Sequence, residues 1–113
     1  MTAGPRVPRY LSPAARKLFQ DVIRAFVLEE HDVAILTKSL EAFDRAEQAR
    51  ARIDADGLMI TTRLGEPKVH PLLSVERDSR ASFMAGFRQL HLDYEPVSNV
   101  ERTAAARSTR WNR

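Results

Sequence analysis

Apolar positions along the chain fall into three stretches of helical spacing, separated by one short stretch that lacks it. After Ser12-Pro13, the residues Leu18, Phe19, Val22, Ile23, Phe26 and Val27 form two adjacent i, i+4 rows. This spacing predicts an amphipathic first helix running to about Glu30. Ser12 is its expected N-cap, and Pro13 takes the first helical position, where a missing N–H costs nothing. From Asp32, the residues Val33, Leu36, Leu40 and Phe43 recur at steps of three and four, beside a stripe of Ala42, Ala46, Ala49 and Ile53. One long second helix is predicted, with Asp32 as its N-cap. Gly57 is its expected stop, because glycine accepts a left-handed conformation without a Cβ clash. The connection left between the two helices, Glu29 to His31, is so short that they must be antiparallel neighbours.

The stretch after Gly57 changes character. Leu58 to Arg63 is rich in branched residues, Leu64-Gly65-Glu66-Pro67 has turn chemistry, and Lys68-Val69-His70 can return as a second short strand. Helical spacing resumes at Pro71 or Leu72 and runs to Leu90, with Val75, Phe83, Met84, Phe87 and Leu90 expected inward. The expected fold is mainly α: an antiparallel helical hairpin plus a third helix, joined by a short β-hairpin-like loop. Residues 1–11 are expected to form a flexible basic arm, 12–96 a helical core and oligomerisation domain, and 97–113 a flexible basic tail with a weak helix around Glu101 to Arg107.

Composition sharpens this picture. With 113 residues there is room for one small domain, and a chain of this size buries only roughly 60 to 65% of its unfolded surface, which makes oligomerisation a common remedy. The large residues of the second helix can pack within the protomer, leaving Ala42, Ala46, Ala49 and Ile53 as candidates to meet a neighbouring copy. There is no cysteine, and no apolar run approaches the length of a membrane span or a signal-peptide core. The protein is expected to be soluble, unexported and free of disulfides, with no membrane partner.

The formal net charge of +3 is unevenly distributed. Residues 1 to 17 contain Arg6, Arg9, Arg16 and Lys17 and no acid, and residues 99 to 113 contain Arg102, Arg107, Arg110 and Arg113 against Glu101 alone, whereas the middle is net acidic. Arginine binds phosphate bidentately and keeps its charge at physiological pH, so these eight residues are the candidates for holding a polyanion. Solubilising tails are the plainer reading of the same pattern. Trp111, between two of the tail arginines, can stack on a base or dock into a partner's pocket, and its ordinary reading is a loose tail aromatic.

Enzymatic motifs are missing: there is no G-x-x-x-x-G-K-[ST], H-E-x-x-H or G-x-S-x-G sequence and no cysteine nucleophile. Asp54-Ala55-Asp56-Gly57 is not a calcium loop, since Arg52 and Arg63 stand where ligands are required. His31, His70 and His91 lie on separate segments and suggest caps or packed side chains rather than a shared metal site. No catalytic residue, metal or cofactor is expected.

The order of these features resembles the small terminase subunits of tailed bacteriophages. The residues that carry the resemblance are the Asp32 helix, Gly57, Gly65, His70-Pro71 and Leu90-His91-Leu92-Asp93-Tyr94-Glu95-Pro96, covering about Ala15 to Pro96. The family usually has a glycine where His91 stands, and often a tryptophan in the first helix where this chain has Phe19 or Phe26. The resemblance implies a non-catalytic subunit that assembles into a ring in the host cytoplasm, recognises viral double-stranded DNA, and delivers it to a large subunit carrying the ATPase and nuclease. A helical adaptor that binds only protein is the alternative. A helix-turn-helix repressor is disfavoured, because the helices are long and Asp32-Val33-Ala34-Ile35 offers no base-reading side chains.

Overall fold

The computed structural model describes residues 4–92, which form helices α1 (Pro13–Ala25), α2 (Glu30–Asp56) and α3 (Leu72–Gln89), with strands β1 (Met59–Thr61) and β2 (Pro67–Val69) between α2 and α3. The mainly helical architecture and the two-stranded join are those expected.

Helix α1 starts as the sequence predicts, with the Ser12 hydroxyl accepting the Ala15 N–H at 3.1 Å and Pro13 inside the first turn. It ends at Ala25, five residues before the expected Glu30, because Phe26 turns extended (φ −134°, ψ 146°). From there Phe26 and Leu28 pack on the core while Val27 between them is wholly exposed, the period-two alternation of an extended segment. An apolar run read as the end of a helix stripe is therefore the connection itself. Glu29, not Asp32, occupies the N-cap of α2; Asp32 acts from one turn inside, its carboxylate accepting the Glu29 N–H at 3.2 Å.

Antiparallel α2 and α3 form the long pair of the molecule, in a register fixed by Ser39 beside Gly86, Phe43 beside Phe83 and Asp56 beside His70. Helix α1 covers only the N-terminal half of α2. There Ala15, Phe19 and Val22 meet Leu36 and Leu40 of α2 and Leu90 beyond α3, with Phe43, Phe83 and Phe87 packed on the edge of the same cluster. The rings of Phe83 and Phe87 lie tilted, with centroids 4.8 Å apart. Met84, expected inward, is half exposed because it sits on the outer side of α3.

Beyond α1 the fold narrows to two helices. Among the described residues no third element shields that end, so burial there depends on close approach: Ala42, Ala46, Ala49 and Ile53 of α2 and Ser79 of α3 are all buried. At the other end of the seam, a Cβ on Gly86 would overlap the Ser39 hydroxyl and lie 3.0 Å from the Ser39 Cβ. Gly57 ends α2 with φ 88° and ψ 163°, a combination only glycine holds without strain, and its N–H donates to the Ile53 carbonyl at 2.6 Å. The strands pair Met59 with Val69 and Thr61 with Pro67, around a turn in which Gly65 has φ 83° and the Thr62 N–H donates to the Glu66 carbonyl.

Two stability measurements follow from these glycines. Gly86→Ala is expected to cost about 1–3 kcal/mol through overpacking against Ser39, and Ser39→Gly should restore much of it in the double variant. Additive losses in urea unfolding would show that the helices do not meet through this pair. Gly57→Val should cost about 1 kcal/mol or more, because a β-branched residue is strained at that positive φ; an unchanged midpoint would refute it.

Candidate functional site

The N-terminal arm is held by α2 from Val7 onward. Val7 packs on the core, Leu11 is buried, and the Tyr10 hydroxyl donates to the Glu41 carboxylate. That bond lowers the Glu41 pKa and, with help from burial and the negative charge of Glu41, raises the Tyr10 pKa. Asp44 then grips Ser12 with both oxygens, accepting its N–H at 2.8 Å and its hydroxyl at 2.5 Å. Residues 7–11 thus differ from the free arm expected, since their apolar side chains have core to cover and α2 presents two carboxylates beneath them.

The acids that face this arm are used in fixing it, which leaves its bases outward. Arg6, Arg9 and Arg16 are exposed and form no ion pair among the described residues, whereas Lys17 pairs with Asp21 at 3.2 Å. That pair is exposed and contributes little. Arg102, Arg107, Arg110, Arg113 and Trp111, together with the weak helix expected around Glu101 to Arg107, lie outside the described residues.

The stripe expected to meet a neighbouring copy is covered within the chain. Ala42, Ala46, Ala49 and Ile53 are only 6%, 5%, 4% and 6% exposed, and the small side chains of the three alanines are what lets α3 come close to α2. A cluster of exposed apolar residues lies elsewhere, on the join: Leu58, Met59, Leu64 and Val69 are 63%, 53%, 85% and 55% exposed. Sequence reasoning missed this patch, although strands of three residues are visibly too short to bury their own side chains.

His70 ties the join to the helices. Its ring is 5% exposed, Nδ1 accepts the Leu72 N–H at 3.1 Å, and Nε2 lies 3.0 Å from Asp56 Oδ2. Since Nδ1 accepts, the proton sits on Nε2 and is donated to Asp56. One side chain thereby satisfies an orphan N–H at the start of α3 and grips the last residue of α2. The bond from His70 lowers the Asp56 pKa; burial opposes it, and Arg52, whose Nε donates to the same oxygen at 2.9 Å, adds to the lowering. His31 is exposed beside Asp32, and His91 follows α3, so the three histidines serve three separate places.

A family model described as the small subunit of phage terminase matches residues 12–106, from the Ser12 cap through all five elements. The chain belongs to this family. Its role is in phage DNA packaging, and small terminase subunits are generally non-catalytic. No curated protein and no solved structure compared with the chain matches it. His91, where the resemblance leads to the expectation of a glycine, has φ 55°, the left-handed position just past a helix where glycine is favoured. Histidine is one of the residues that tolerates this conformation best.

The clasp predicts a pH signature. Because the folded-state pKa of Asp56 is depressed below 3.8, its contribution is present above that value and is lost as pH falls through the folded value. Asp56→Asn should therefore melt below the parent protein at neutral pH, with the gap closing in acid. A gap independent of pH would show that the charge on Asp56 is not what His70 and Arg52 stabilise.

Proposed function

We propose that this chain is the non-catalytic, self-assembling subunit of a phage packaging motor, working in the host cytoplasm. It forms a ring, recognises viral double-stranded DNA, and presents it to the large subunit that carries the ATPase and nuclease. The family match over residues 12–106 carries this reading. It is supported by Arg6 and Arg9 on an arm anchored at Tyr10 and Ser12 and by Arg16 in the first turn of α1, which stand outward without acidic partners among the described residues. Arg102, Arg107, Arg110 and Arg113 extend the same role to the C-terminal residues, Lys17 adds a weakly engaged cation, and Trp111 is a partner contact. The exposed apolar join favours a second reading, a helical adaptor that binds protein alone.

Salt dependence separates the two. Each phosphate neutralised contributes about −0.9 to the slope of log K against log salt, so binding through the arms should weaken steeply with salt. Removing Met1 to Arg9, or Asn99 to Arg113, should flatten the slope for the same duplex. Equal slopes for the full chain and both truncations would move the contacts to body residues such as Arg45, Arg50, Arg63 or Lys68. Absence of salt-dependent binding by the full chain would favour the adaptor.

A further inference from the structure

The exposed join and a concavity at the other end of the same helix pair are complementary to one another. Near the N-terminus of α2, small side chains on both helices leave a groove of about 440 Å³ lined by Ala34, Ile35, Ser39, Ser82, Ala85 and Gly86, together with Gln89 and with Lys38, whose charge is paired with Glu41 at 3.4 Å. Its cause is the close Ser39–Gly86 approach, which sets the axes near each other while Ala34, Ser82 and Ala85 leave the outer space unfilled. The join presents the converse shape, with Leu64 at the tip of its turn and Met59 and Val69 paired across the strands. An isolated two-stranded hairpin is marginal in water, and none of its side chains belongs to the main core cluster.

Charge points the same way. On the join, Arg63 and Lys68 form no ion pair among the described residues, and Glu66 is the single acid. At the groove end, Glu29 and Glu30 are exposed beside the α1–α2 connection, also unpaired among the described residues and one turn from Ala34. The two patches lie roughly 30 Å apart along α2, so a chain cannot fill its own groove. Pairing two joins about a twofold axis would set Arg63 and Lys68 against their own copies, whereas join to groove brings them to Glu29 and Glu30, with the one base of the groove lining, Lys38, already paired to Glu41.

We propose that the β1–β2 join of one copy docks, head to tail, into the α2–α3 groove of a second copy of this chain, with Arg63 and Lys68 facing Glu29 and Glu30. The proposal rests on the self-assembly stated above and supplies its contact surface. A head-to-tail contact of this kind propagates from copy to copy and closes into a ring when its rotation allows.

Light scattering on the full chain tests it, with circular dichroism confirming that each variant is folded. The parent protein should have the mass of several protomers, and Leu64→Asp and Ala85→Trp should each reduce it to a monomer. Mixed at high concentration, these two variants should form a dimer and stop there, since the mixture offers one intact join and one intact groove per pair. Arg63→Glu with Lys68→Glu should also dissociate the assembly, and adding Glu29→Lys with Glu30→Lys should restore it. A monomeric parent protein would overturn both the docking and the self-assembly behind it. An assembling parent with unaffected variants would overturn the docking alone, as would Ala85→Trp forming dimers by itself.

Discussion

Everything in this molecule depends on how close α3 comes to α2. The Ser39–Gly86 contact and the alanine seam that ends at Ile53 let two long helices bury each other over a stretch where no other described residues cover them. With bulky residues along that face the axes would separate, and the half of the pair not covered by α1 would lose its interior. Close approach also leaves the groove at one end and pushes the join out at the other. Both surfaces are thus by-products of the packing that holds the chain together.

Polar side chains fasten this arrangement where helices begin and end. His70 joins the last residue of α2 to the first N–H of α3, and Asp44 holds the cap of α1. These contacts use acids: Asp44 and Glu41 under the arm, Asp56 at the join, and Asp32 at the α2 start. The arginines of the arm are left facing water. An outward basic N-terminal arm follows from this division.

The hydrophobic spacing of the sequence was sufficient for the three helices, the strand pair between them, the Ser12 cap and the glycine stop at Gly57. These are local properties, decided by side-chain periodicity and by conformations within a few residues of one another. Outward arginines at the start of the chain were legible for the same reason, as were the features that placed the chain among small terminase subunits. Tertiary contacts decided the rest. Phe26 left the helix because the core beside α2 received it together with Leu28, and the arm was held because Glu41 and Asp44, some thirty residues away, lay beneath it. The alanine stripe, equally able to face another copy or the same chain, was taken by α3, since identical spacing serves either partner and only the folded register selects one.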